Sequence, residues 1–250
     1  MFSISNLLFC FILFFACIVS GLVGFGSNIL ALPFLSLLFD TKVIVPVLVL
    51  TVIFNGVPRL ITQYRSVSLP VYLTMLPLAL VGGFVGIHLV SVLHEGWMKL
   101  LLALLMLVIA GKGLLELRGI WRPRYRKGKN PLLLTIPFLG GIMQAAFACG
   151  GPIFNLYILL NLKQKEQIRA TMFAIGATSA GIIALQYLLA GVYQGQVLQL
   201  VFCLIPSVLL AYIVSERMFR KINGQRFLQL VYLALIITGC MTGWQALQLF

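Results

Sequence analysis

The sequence GLVGFGSNILALP at residues 21–33 interrupts a 34-residue apolar stretch, residues 6–39. A second interruption, GGIMQAAFACGGP at residues 140–152, lies inside the 31-residue apolar stretch 132–162. As single helices these stretches would be about 45–50 Å long, which exceeds the roughly 30 Å of a bilayer's hydrocarbon core. Each is nevertheless shorter than the roughly 40 residues that two full spans need. The glycines and prolines therefore predict broken helices.

The composition is that of a membrane protein. Hydrophobic residues make up 61% of the 250 residues and charged residues only 9%, whereas a soluble domain carries about 25% charged residues. Six further apolar segments have the length of an ordinary transmembrane helix: residues 43–62, 69–90, 97–117, 170–190, 197–214 and 227–247. The expected fold class is an all-α polytopic membrane protein, and the expected location is the cell (inner) membrane.

The 18 basic residues predict the topology. Six of them lie in residues 118–129, and further clusters occupy residues 163–169 and 217–226. Basic loops favour the cytoplasmic side, and they explain the net charge of +13 without a nucleic-acid partner. All three clusters are cytoplasmic if residues 132–162 enter the membrane and return as a hairpin of two half-helices. We expect the loop at residues 118–129 to lie against anionic lipid headgroups.

The same interpretation of residues 6–39 divides the chain into two halves, each a broken (re-entrant) hairpin followed by three transmembrane helices. Because three is odd, the second half is inverted relative to the first, as is typical of secondary transporters. Matching positions agree: Pro33 with Pro152, Pro77 with Pro206, and Gly111 with Gly239. We predict one membrane domain over residues 1–250, with a first repeat at 1–117, a basic cytoplasmic loop at 118–130 and a second repeat at 131–250. The alternative is a plain set of eight transmembrane helices.

The two breaks form the candidate binding site. A helix that begins at a break directs unpaired N–H groups and the positive end of its dipole at the gap, which suits an anion. Arg59 can attract an anion, and snorkelling to the cytoplasmic face is its alternative role. Cys149 has inert packing as its alternative. The candidate substrate-binding residues are Gly24, Gly26, Ser27, Asn28, Asn55, Arg59, Gln144, Cys149, Gly150, Gly151 and Asn155.

Small residues can also serve packing alone, because they let membrane helices approach closely. We interpret Gly82 and Gly86, spaced four apart in an unbroken span, in this way. For the glycines of the two breaks, close packing is the alternative to a binding role.

The acidic residues indicate the charge of the substrate. All of them fall in loops or close to span ends: Asp40, Glu95, Glu116, Glu166 and Glu216. A cation pump or sodium-coupled carrier usually keeps a carboxylate inside the membrane. We therefore expect a positive site with no acid within reach, which favours an anionic substrate. No metal site or other cofactor is implied, because the cysteines are dispersed along the chain.

At these residues the sequence resembles the sulfite exporter TauE/SafE family of small membrane transporters. The resemblance rests on the G-x-x-G-x-G pattern at residues 21–26 followed by Pro33, its echo at Cys149-Gly-Gly-Pro152, the basic central loop and the two similar halves. It covers nearly the whole chain and implies transport of sulfite or organosulfur acids such as sulfoacetate. We interpret the chain as a secondary anion transporter, not an enzyme, that works by alternating access.

Two other functional classes stay open. A non-transporting membrane scaffold or assembly factor would have uniformly apolar spans, and the two breaks argue against it. An intramembrane enzyme would need a nucleophile beside a base at membrane depth. His88 is the one candidate base within a predicted span, and the sequence near it offers no evident serine or cysteine partner.

We predict that residues 118–129 and 217–226 are both cytoplasmic and that both termini lie outside. In a variant without native cysteines, a cysteine introduced at Arg220 should react with an impermeant maleimide only after the membrane is permeabilised. A cysteine at Gln194, in the uncharged loop at residues 191–196, is the control and should react in intact cells. Reaction at position 220 from outside would contradict the hairpin topology.

Overall fold

The chain is all-helical, with short connecting turns and no strands, in the part that the computed structural model describes, which is residues 4–23, 26–92, 95–117, 119, 131–219 and parts of 232–248. The described α-helices are α1 Ile4–Val23, α2 Ser27–Leu35, α3 Thr41–Gln63, α4 Leu69–Val92, α5 Glu95–Leu117, α6 Thr135–Phe147, α7 Gly151–Asn161, α8 Lys165–Leu189 and α9 Gly195–Phe219. Short 3₁₀ turns occupy Tyr64–Ser66 and Pro131–Leu134. The predicted all-α class is confirmed.

Among the described residues, five helices are long and apolar enough to cross a membrane: α1, α3, α4, α8 and α9. Large apolar side chains such as Phe84, Leu104 and Phe202 are exposed on the outer surface, as expected for side chains that face lipid. The protein is therefore a multi-pass membrane protein. The predicted spans at residues 43–62, 69–90, 97–117, 170–190 and 197–214 match α3, α4, α5, α8 and α9.

Some sequence predictions fall on residues that the structure does not describe or describes only in part. The sixth predicted span, residues 227–247, is described only in part, and residues 120–130 and 220–231 lie outside the described residues. The positions of the two basic loops and the division into repeats therefore stay predictions.

Both predicted helix breaks are present, but they are unequal. α1 ends at Val23 and α2 begins at Ser27, while α6 ends at Phe147 and α7 begins at Gly151. With 9, 13 and 11 residues, α2, α6 and α7 are about 14–20 Å long and too short to cross a membrane. α1 has 20 residues and can cross, because no glycine or proline precedes Gly21 to end it. The first broken segment is thus a full-length helix followed by a short one.

The turns at the two breaks use left-handed backbone. Gly26, which precedes α2, has φ of 102°, a conformation that glycine adopts without the steric cost of a Cβ atom. Ala148, which ends α6, has φ of 53°, a left-handed residue of the kind that often ends a helix. Each break therefore ends one helix and begins the next within a few residues, and the short helix that follows, α2 or α7, contacts the helix before the break.

The broken helix α6 is held by close packing against α4. A Cβ atom added at Gly82 would lie 2.0 Å from the carbonyl oxygen of Phe138, and one at Gly141 would lie 2.0 Å from that of Ala79. A Cβ atom added at Gly86 would lie 2.6 Å from the carbonyl oxygen of Ile142, which also belongs to α6. The packing interpretation of Gly82 and Gly86 is confirmed, and the short α6 gains a rigid support along its length.

We expect Gly82→Ala to lower the melting temperature of the detergent-solubilised protein by several degrees, since the new methyl group would meet backbone that cannot move aside. The matched control is Gly181→Ala, which adds a methyl group to α8 where no atom lies within 4 Å. There the higher helix propensity of alanine should leave stability unchanged or raise it by up to about 1 kcal/mol. Equal melting temperatures for the two variants would contradict the close packing of α4 and α6.

Candidate functional site

The two breaks meet at one cavity of about 60 Å³. Many of the residues predicted from the sequence line it: Gly26, Ser27, Asn28, Asn55, Gln144, Cys149 and Gly151. Arg59, Gly150 and Asn155 do not line it, and Gly24 lies outside the described residues. The structure thus brings together short polar segments that are more than 100 residues apart in the sequence.

Sequence reasoning missed the contribution of α1 and α8 to the lining. Ser20 precedes the first break, and Met172, Phe173, Gly176 and Ala177 belong to α8. These four residues of α8 recur at helical spacing, and this was the only available signal that they share a face. They add an apolar surface to the lining of the cavity.

Asn28 connects the two breaks. Its side chain is 3% exposed, and its amide nitrogen donates to the carbonyl oxygens of Leu48, at 2.8 Å, and Ala148, at 2.9 Å. The Ser27 hydroxyl donates to the Asn28 side-chain oxygen at 3.3 Å. Both amide hydrogens are therefore used within the protein, and Asn28 positions the short helix α2 against α3 and the second break.

Two helices begin at the cavity. α2 starts after Gly26 and α7 starts at Gly151, and no side chain among the described residues caps either N-terminus. The first N–H groups of a helix have no partner within that helix. They carry the positive end of the helix dipole, which favours a negative ligand. The two N-termini therefore give the cavity an electropositive lining without any charged side chain in contact with it.

Gln144 adds an unused donor to this lining. Its side chain is 2% exposed, and its oxygen accepts a hydrogen bond from the Gly150 N–H at 2.9 Å. This bond identifies the Gln144 side-chain atom that faces the Gly150 N–H as the oxygen, because a backbone N–H group can only donate. The Gln144 nitrogen then has no hydrogen-bond partner among the described residues. A buried donor left without a partner costs about 1–3 kcal/mol, so a ligand that accepts hydrogen bonds would be stabilised here.

Arg59 lies next to the cavity and is fully buried. One terminal nitrogen donates to the Asn55 carbonyl oxygen at 2.6 Å and to the Asn55 side-chain oxygen, and the other donates to the Ser215 hydroxyl at 2.8 Å. Gly21 makes room for this arrangement, since a Cβ atom there would lie 2.6 Å from an Arg59 nitrogen. The Arg59 side chain therefore does not snorkel to the membrane surface. Its hydrogen bonds to Asn55, which lines the cavity, connect it to the cavity.

The expectation that no acid lies within reach of the site is wrong. One carboxylate oxygen of Glu216 lies 3.4 Å from the Arg59 side chain and 2.7 Å from that of Arg169. The reason is that α9 continues past the predicted span end at residue 214 to Phe219 and packs beside α1 and α3. Two guanidinium charges and one carboxylate charge leave this cluster with a net charge of +1.

Two tyrosines close the other end of α3. Tyr193, in the turn between α8 and α9, donates to the Pro46 carbonyl oxygen at 3.3 Å, and its ring meets that of Tyr187 edge-on with the ring centroids 6.4 Å apart. Burial, with Tyr187 beside it, raises the pKa of the Tyr193 phenol, so the hydroxyl stays protonated and keeps donating. Along α3 the cavity residue Asn55 lies between Pro46 and Arg59. Polar contacts therefore hold α3 on both sides of the cavity, at Pro46 and at Arg59.

Comparison with known proteins gives one match. The family model described as sulfite exporter TauE/SafE matches residues 9–242, nearly the whole chain. No curated protein and no solved structure matches it.

We predict that Asn28→Asp destabilises the protein, because a carboxylate oxygen would face two carbonyl oxygens at the present 2.8 and 2.9 Å separations. Loss of two buried hydrogen bonds, with a carboxylate held against the carbonyl oxygens, should cost about 2–6 kcal/mol of unfolding free energy. Thermal unfolding in detergent measures this. Ser36→Ala is the control, since it removes one hydroxyl that bonds only within its own turn, to the Pro33 carbonyl oxygen. An Asn28→Asp protein as stable as the control would exclude the connecting role.

Proposed function

Because the chain belongs to the sulfite exporter TauE/SafE family, a family of transporters, we propose that it is a secondary transporter that carries sulfite or a related small sulfur anion by alternating access. The observation that carries the proposal is the Gln144 nitrogen, which has no hydrogen-bond partner among the described residues and lies in a cavity where two helices begin. Donors without acceptors are what an oxyanion requires, since its oxygens only accept hydrogen bonds.

The size of the cavity favours a small anion. About 60 Å³ corresponds to roughly four to six water-sized spheres at about 10–15 Å³ each. Sulfite, with four non-hydrogen atoms, fits such a space, whereas sulfoacetate has twice as many and would need the cavity to widen. We therefore place sulfite first among the candidate substrates.

Alternating access is supported by the two closures of the cavity. The Tyr193 contact holds one end of α3, and the Arg59–Glu216 contact holds the other. If each opens in turn, an anion in the cavity would reach one side of the membrane at a time. The short helices α2 and α7 begin at the cavity and are the elements that such a motion would shift.

The surroundings of the protein follow from the same proposal. We place it in the cell (inner) membrane, with residues 118–129 against anionic headgroups on the cytoplasmic side. The basic loop then has lipid as its partner, and the transported anion is the small-molecule partner.

The scaffold and enzyme alternatives have less support. A scaffold has no use for a buried donor without a partner, which costs stability unless a ligand binds. The described lining of the cavity contains no histidine or acidic residue that could activate Cys149 as a nucleophile.

We expect the purified protein in proteoliposomes to carry radiolabelled sulfite with a saturable rate and to prefer it over sulfoacetate, with and without a pH gradient. Gln144→Glu should lower sulfite flux by about 1,000-fold, because a charge at 4 Å in an effective dielectric constant of about 20 opposes an anion by about 4 kcal/mol. The glutamate can still accept from the Gly150 N–H, so the fold should persist.

Gln186→Glu is the control for that experiment, because it adds the same charge to α8 outside the cavity lining. Its sulfite flux should stay close to that of the unmodified protein, once matched for the amount of folded protein. Normal sulfite flux in a folded Gln144→Glu protein would exclude this cavity as the site. Absence of flux for every anion in the unmodified protein would exclude the transport function.

A further inference from the structure

We propose that Arg59 and Arg169 form a second anion-binding site beside the cavity, and that the Glu216 carboxylate occupies it here in the place that a transported anion takes. The site would receive small oxyanions such as sulfite or a carboxylate. The inference rests on the proposed function for the identity of the anion, and it adds the role of Arg169 and Glu216.

The geometry of the cluster is that of an oxyanion held by two guanidinium groups. One oxygen of Glu216 lies 2.7 Å from a terminal nitrogen of Arg169 and 3.4 Å from the Arg59 side chain. Arginine presents several donors in a plane and suits carboxylates, sulfonates and other oxyanions equally. A free anion of similar size can therefore make the contacts that Glu216 makes.

The charges require an anion at this place. α3 contributes Arg59, α8 contributes Arg169, α9 contributes Glu216, and α1 contributes an uncharged carbonyl oxygen at Gly21, 3.3 Å from Arg169. Removing one partner of a buried ion pair leaves an uncompensated charge, which is strongly unfavourable. When Glu216 leaves, an incoming anion takes over the neutralisation of the guanidinium groups.

Exposure decreases from the solvent toward the cavity. The Glu216 side chain is 37% exposed, that of Arg169 is 14% exposed, and that of Arg59 is fully buried. Beyond Arg59 come Asn55, which lines the cavity, and the ring of Phe173, which both guanidinium groups contact at 5.5 and 5.7 Å. An anion arriving from this side meets Glu216 and Arg169 first and the cavity last.

Displacement of Glu216 by a bound anion would also break the contacts that close this end of the cavity. The carboxylate connects α9 to α3 and α8, and the Ser215 hydroxyl beside it accepts from Arg59. When an anion takes the guanidinium groups, α9 loses these charged contacts with its neighbours. Binding at the second site and opening of this end of the cavity are therefore one event, which couples the anion to the motion.

The test compares Glu216→Gln with Glu166→Gln by calorimetric titration of sulfite into the detergent-solubilised protein at fixed ionic strength. Glu216→Gln removes the internal competitor, so the Kd for sulfite should fall about tenfold or more. Glu166 is an exposed acid in the first turn of α8, and its replacement should leave Kd unchanged. Equal Kd values in both variants and the unmodified protein would overturn the inference.

A second variant identifies the guanidinium groups as the cause. In Glu216→Gln/Arg169→Gln the gain in affinity should disappear, whereas a gain that persists would place the bound anion elsewhere and overturn the inference. If Glu216→Gln fails to fold in plain buffer, sulfite should restore folding and raise its melting temperature more than that of the unmodified protein. Failure of sulfite to do so would count against the site.

These binding measurements are independent of transport. Tight binding by Glu216→Gln without flux in the unmodified protein would leave the second site standing and remove the proposed function. Normal sulfite flux in the unmodified protein, together with an unchanged Kd in Glu216→Gln, would support the proposed function and overturn the second site.

Discussion

Backbone that leaves helical geometry inside an apolar protein must find hydrogen-bond partners within that protein, and the cavity depends on how this is done. At the first break, Gly26 supplies the left-handed turn, and Asn28 then uses both amide hydrogens on backbone carbonyls of α3 and the second break. Water cannot replace such contacts in an apolar interior. The two breaks are therefore held together, and the donors that remain unused face a common space.

The distribution of satisfied and unsatisfied donors explains how an uncharged lining suits an anion. Asn28 has no donor left. Gln144 uses its oxygen to accept from the Gly150 N–H, and its nitrogen has no partner in the described part of the chain. Placing Arg59 behind Asn55 keeps the charge near the site without direct contact.

The close contact between α4 and α6 gives the cavity one rigid wall. Since Gly82 and Gly141 bring the two backbones together, the short helix α6 is supported along its length although it cannot cross a membrane alone. The contacts at the two ends of α3 are of another kind. They consist of a few hydrogen bonds and one ion-pair cluster, and such contacts can exchange without disturbing the packed wall.

The sequence by itself determined the membrane class, the positions of five spans, the two breaks and most of the polar side chains that line the cavity. These features follow from local properties: the length of an apolar run, and the effect of glycine and proline on the backbone near them. The full length of α1 was also visible locally, in the absence of glycine and proline before Gly21. The hairpin interpretation did not use that observation.

Only the tertiary structure decided which polar groups are available to a ligand. Asn28 and Gln144 have the same side-chain amide, and they differ because α3 and the second break occupy the donors of one while Gly150 occupies the acceptor of the other. The contact between Glu216 and Arg59 was likewise beyond prediction, since the residues lie far apart along the chain and on different helices. Hydrogen-bond partners and ion pairs depend on how helices pack against each other, and no local pattern in the sequence encodes that arrangement.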